Sequence, residues 1–265
     1  CSFGAPDEIH PQHGELPNAD YNSAYISCGK DEKGKYIAVG GTADYDVAFT
    51  KKYRFSPECR LYEGETVLKI SVSLENMRND PMEYMYLCHI NFKPIDGAKL
   101  ICSAETDSRH IKVYRAVDEN VPKEKALKLN SYFDRLEKNP EIHTNVGSAD
   151  EAYDPEICFG IRYSGDKNGR AYSMQYKEGF GACYVSHPTD ILPYAIRWIS
   201  RTDDEDSMGM VLPATGEHLG YKYAKENGQI RFLAPHERLE FYIEAGYIDV
   251  QRSEAVLKKI SEILK

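Results

Sequence analysis

The sequence predicts an all-β, mainly antiparallel fold, a sandwich or barrel. Three observations carry this. Apolar residues alternate with a period of two over many short runs. Gly, Asn and Pro punctuation recurs between those runs. No strand–helix–strand alternation appears that would build a parallel sheet.

In chain order, "KDEKGK" (30–35) reads as a turn, and "YDVAFTKKYRF" (45–55) as a strand. In "TVLKISVSLEN" (66–76), Leu68, Ile70, Val72 and Leu74 alternate with Val67, Lys69, Ser71 and Ser73. "MYLCHINFKP" (85–94) is strand-like: Tyr84, Tyr86, Cys88, Ile90 and Phe92 share one face, and Glu83, Met85, Leu87, His89 and Asn91 the other. The second face starts apolar and ends polar, as in a strand that leaves a core for a cleft.

A helix is expected over 122–138, with Leu129, Tyr132, Phe133 and Leu136 on one face and Asn139-Pro140 as its stop. "RAYSMQYK", "GACYVS", "YAIRWIS", "IRFLA" and "LEFYIEAGYIDV" read as strands, with turns at "SGDKNG", "KENGQ" and "APHE". A second helix, 253–264, takes Ser253 as N-cap and buries Val256, Leu257, Ile260, Ile263 and Leu264 along one face. No repeat or linker divides the 265 residues, so one domain over 1–265 is expected.

The net charge of -9 argues against a nucleic-acid partner. No apolar run reaches the length of a membrane-spanning helix. Seven scattered cysteines suggest neither a zinc knuckle nor a disulfide framework, and free thiols in a reducing cytoplasm account for them most simply. Twenty tyrosines suit half-wet surfaces such as sugar clefts, although amphipathic strand packing explains most of them.

Four places could carry chemistry, each with a plainer reading beside it. His13 lies in the loop "HPQHGELPN", where a histidine is more often merely solvated. His89 with Asn91 could be a satisfied pair at a core edge. Trp198, with Arg197 beside it, could be core rather than a sugar platform. Glu217 and His218 fall in "LPATGEHLGY" (212–221), read as an exposed acidic loop.

Together, "HGELPN", "MYLCHINFKPIDGAKL", "LPYAIRW", "VLPATGEHLGY" and "FLAPHERLEFYIEAGYID" resemble the uncharacterised aldose 1-epimerase-like branch of the galactose mutarotase superfamily. The resemblance implies a galactose mutarotase-like β-supersandwich, with N-terminal strands in the family preceding the segment that matches "CSFGAP". It implies interconversion of sugar anomers by acid/base ring opening, with a small sugar or sugar derivative as partner and no cofactor. His89 then takes the general-acid position and His13 that of a second sugar-contacting histidine; Asn91, Trp198, Arg197 and His218, singled out from the residues above, are the further candidate substrate contacts. The family's base glutamate aligns with Leu212, which takes no proton, and Glu217 is the carboxylate expected to replace it. Two alternatives stand beside this. One is a lyase or isomerase in which His13, His89, Glu217 and His218 surround a divalent metal. The other is a carbohydrate-binding domain that has lost the base.

Overall fold

A computed structural model describes residues 13–107, 109–115, 117, 119–148 and 153–265, and the "CSFGAP" segment lies outside them. The chain divides into two compact units, residues 1–87 with 215–246 and residues 88–214 with 247–265.

The first unit is built on antiparallel hairpins. Strands β1 (Ser23–Asp31), β2 (Gly34–Val47), β3 (Lys51–Tyr62) and β4 (Val67–Asn76) follow one another across a sheet, and β14 (Arg238–Ile248) lies beside β4. The alternation read in 67–76 holds: Val72 and Leu74 are buried, and the strand pairs along its length with β14 from Val67↔Gly246 to Glu75↔Arg238. Gly246 is required at that crossing. A Cβ there would meet the Thr66 carbonyl oxygen and would stand 2.7 Å from Val67 Cα, both backbone atoms that cannot swing away. Gly246→Ala is expected to lower stability by about 2 kcal/mol or more. Chemical denaturation measures this, and a change under 0.5 kcal/mol would contradict the packing described.

Two short strands, β5 (Met82–Tyr84) and β13 (Arg231–Leu233), pair separately, and a helix α2 (Tyr221–Glu226) sits between Gly220 and Asn227. That third helix was not expected. Six residues are too few to show a helical period in the sequence.

The expected strand over 45–55 is instead the end of β2, a turn, and the start of β3. Phe49 takes a left-handed conformation (φ 67°) with its ring fully exposed, and Val47 faces Lys51 across the loop. "AFT" contains none of the residues that usually mark such turns, so alternation on either side masked it.

The second unit holds the largest core. Strands β8 (Ile157–Arg162) and β11 (Tyr194–Arg201) form the middle of the sheet β12-β11-β8-β7, with β7 at Ile111–Tyr114 and β12 at Asp206–Ala214. A second set pairs β10 (Gly181–Pro188), β9 (Arg170–Lys177) and β6 (Lys99–Cys102). Ile157, Phe159, Met174, Val185, Ile199, Met208 and Met210 are all 2% exposed or less. Burying side chains of this size supplies about 1.5–3 kcal/mol each.

Helix α1 (Lys123–Lys138) buries the four residues its spacing selected, Leu129, Tyr132, Phe133 and Leu136, and ends at Asn139, whose side chain accepts from the Glu141 N–H. Helix α3 (Val250–Ile263) begins earlier than expected. Its N-cap is Asp249, which accepts from the Arg252 N–H, whereas Ser253 is buried inside the first turn with its hydroxyl donating to the Asp249 carbonyl. Among the described residues no helix is long and apolar enough to cross a membrane, and none of the six described cysteines is disulfide-bonded.

Candidate functional site

The segment 85–94 is not a ladder strand. It runs extended beside β12 and touches it at intervals. The Cys88 N–H donates to the Pro213 carbonyl at 2.9 Å, and Phe92 and Met208 exchange bonds of 2.9 and 2.8 Å. Between those two clamps the chain is free of ladder bonds, and the alternation of faces survives there: His89 and Asn91 are both exposed. Their side chains meet, His89 Nδ1 lying 2.8 Å from Asn91 Oδ1. With the amide oxygen as acceptor, Nδ1 is the donor, and the neutral ring carries its lone pair on Nε2.

Trp198 belongs to the same cluster. Its ring centroid stands 5.5 Å from that of His89, with the planes at 69°. Its indole N–H donates to Glu156 Oε2 in a short bond. Glu156 immediately precedes β8 and did not stand out in the sequence, because a single acid beside a proline forms no motif. A β-bulge re-aims this region: pairing shifts from Ile196↔Leu212 to Trp198↔Gly209. The Leu212 side chain closes over Gly209, so that any Cβ at 209 would strike it. Leu212 is 2% exposed and lies within β12, so the stretch read as a loop over 212–221 begins only at Thr215.

Arg197, next to Trp198 on β11, is buried at 1% exposure. Its guanidinium donates to the Met210 carbonyl at 3.0 Å and to His143 Nδ1 at 2.7 Å. Burial, with the Arg197 charge beside it, pushes the His143 imidazole down to about 3, so the ring stays neutral and accepts that bond. Arg197 is thus spent on the interior, contrary to the expected substrate contact.

The other expected residues lie in the first unit. Glu217 is not a solvated loop acid. Its Oε2 accepts from the Tyr223 hydroxyl and from Gln229 Nε2, both at 2.8 Å, and its backbone N–H donates to Gln229 Oε1 at 2.8 Å. Gln229 is itself 4% exposed, which makes the carboxylate a fixed one. His218 is buried beside it in sequence, at 6% exposure. His13 is exposed, in a left-handed conformation (φ 65°) followed by Gly14 (φ 76°). Its loop is tied to β3 by the Tyr53 hydroxyl, which donates to Glu15 Oε1 at 2.8 Å.

The structure therefore brings His89, Asn91 and Trp198 together, adds Glu156 to them, and separates Arg197 from them. Among the described residues no group of three or more His, Cys, Asp or Glu side chains is placed to hold a metal ion.

The antiparallel β architecture is the galactose mutarotase-like fold. A Klebsiella pneumoniae structure assigned provisionally as an aldose 1-epimerase superposes with a TM-score of 0.78 at 18% identity, covering 96% of this chain and 61% of its own. A galactose mutarotase related enzyme from Lactobacillus acidophilus gives 0.55 at 13% identity, over 91% and 75% of the two chains. A galactose mutarotase-like protein from Clostridium acetobutylicum gives 0.52 at 14% identity, over 86% and 67%. The chain thus spans about three-fifths of the length of the Klebsiella protein. By sequence it belongs to the family described as Domain of unknown function (DUF4432), which matches residues 2–246. No match was found among curated proteins.

Proposed function

We propose that this protein is an aldose 1-epimerase-like isomerase that interconverts the anomers of a small sugar or sugar derivative, working as one domain and without a cofactor. The observation that carries the reading is His89: exposed, held through Nδ1 by Asn91, and set against the only tryptophan of the chain. Ring opening needs a group that gives a proton to the ring oxygen and another that takes the proton from O1. A histidine fixed through Nδ1 gives and regains a proton at Nε2 near neutrality. Asn91 and Trp198 are the sugar contacts beside it, an amide for hydroxyls and a ring for the apolar sugar face. Glu217, anchored by Tyr223 and Gln229, is the proton acceptor, with His13 and His218 as further sugar contacts.

Anomer exchange followed by NMR across several aldoses tests this. His89→Asn is expected to lower the exchange rate by about 10²–10⁴-fold, and Glu217→Gln by a similar factor. Loss in the first variant with full activity in the second would move the base away from Glu217. No exchange by the unmutated protein, on any sugar that it binds, would remove the epimerase reading.

A second reading is favoured by Leu212. A buried leucine at the position where the resemblance implies a glutamate suits a carbohydrate-binding domain that retains the cleft without the base. Sugars would then raise the melting temperature while exchange stays at the buffer rate.

A further inference from the structure

Glu156 ends a chain of three side chains that leads to His89. Its carboxylate accepts the Trp198 indole N–H in a charge-assisted bond. It does not swing freely. Ile157 already pairs with Ile199, and the Pro155 carbonyl accepts from the Ser200 hydroxyl at 2.7 Å, so the residues on both sides of Glu156 are fastened to β11. The other end of the chain is the 5.5 Å, 69° contact between the Trp198 and His89 rings.

An indole whose N–H is drawn toward a carboxylate carries more electron density over its ring. A cationic imidazole beside that ring gains from the richer π-system and from the negative charge behind it. A neutral imidazole gains little.

We propose that Glu156 is a positioning residue that acts through Trp198, orienting the His89 ring and favouring its protonated form. This rests on the reading of His89 as the proton donor. It makes the acid a Glu156–Trp198–His89 unit rather than a lone histidine.

The ionisable groups in the cross-strand row of Trp198 do not imitate this effect. Tyr114 and Cys158 share the cross-strand row with Trp198, and burial, with Glu156 nearby, pushes the Cys158 thiol up to about 12. Lys112 stands over the Tyr114 ring, its Nζ 5.1 Å from the centroid, and disfavours rather than favours a second cation. Asn91, on the segment of His89 itself, carries no charge.

Since the chain has one tryptophan, tryptophan emission comes only from the residue in this contact, and comparison with His89→Gln isolates the part due to His89. A protonated imidazole quenches a neighbouring indole far more than a neutral one. Emission of the intact, sugar-free protein should therefore fall as pH is lowered through the titration of His89, and the step should vanish in His89→Gln. In Glu156→Gln the midpoint should move to lower pH by about half a unit, the size of an exposed cation–π contribution. NMR titration of the His89 ring in Trp198→Phe should show a downward shift at least as large, and that variant carries the test if Glu156→Gln fails to fold. An unchanged His89 midpoint in either folded variant overturns the proposal, as does the absence of any His89-dependent step in the unmutated protein. None of these readings needs sugar turnover, so failure of the coupling and failure of the epimerase reading are distinguishable.

Discussion

Lowering the pH from 7 to 5 is expected to cost this protein about 4 kcal/mol of stability, before its carboxylates begin to titrate. Two buried histidines are responsible. His143 and His187 are 1% and 0% exposed, and both are held down to about 3, chiefly by burial and then by Arg197 and Arg170 respectively. Neither ring nitrogen of His187 has a hydrogen-bond partner among the described residues, so nothing rewards its protonation in the folded state. In the unfolded chain a histidine titrates near 6.5. Between about 6.5 and 3 the unfolded state therefore binds protons that the folded state refuses, and stability falls as pH falls. Above 6.5 the contribution is complete. Each histidine accounts for about 2 kcal/mol between pH 7 and pH 5. The window separates this from the carboxylates: Asp31, Asp44 and Asp166 are held below the usual aspartate value, and their contribution is lost only at lower pH. Urea denaturation at pH 7, 6 and 5 measures the slope. His187→Phe, which keeps a planar ring against Tyr163, should halve it. A stability independent of pH across this range would show that the two rings are hydrated in the native protein.

Phe159→Ala is expected to remove about 3–5 kcal/mol. Phe159 is 0% exposed in β8, faces Val113 on one side and Arg197 on the other, and lies 5.3 Å from the His143 ring. A strand flanked on both edges cannot shift to fill the space that the ring leaves. Phe159→Leu, which keeps most of the volume, should cost about 1 kcal/mol. The two variants are compared by chemical denaturation at pH 7, and a loss below 1 kcal/mol for alanine would mean that the core around β8 collapses freely.

Much of the architecture was legible wherever a short-range period is enforced by one buried face. Leu129, Tyr132, Phe133 and Leu136 lie four in a row on the inner side of α1, and β9 covers the residues from Arg170 to Lys177 that alternation marked. Where neighbours rather than period decide, sequence reading went astray. A turn at Phe49 carries no turn residue. The segment around His89 is extended without being a strand, because β12 accepts it only at Cys88 and Phe92. Asp249 caps α3 although Ser253 has the residue type, because the cap is decided by which side chain reaches a free N–H.

The same division holds at the candidate site. The sequence by itself determined that His89 and Asn91 share a side of an extended segment, since successive residues must alternate there. It also determined that Leu212 brings no proton acceptor. Only the tertiary structure decided that Trp198 meets His89, that Arg197 turns into the interior, that Gln229 and Tyr223 hold Glu217, and that Glu156 stands behind the tryptophan. Each of those contacts joins residues too far apart in the chain for any local period to relate them, apart from the Glu217 pair, where helix α2 between Glu217 and Gln229, and not a repeat, sets the distance. Packing of strands brought in from separate stretches is what creates such neighbours, and no rule of spacing encodes it.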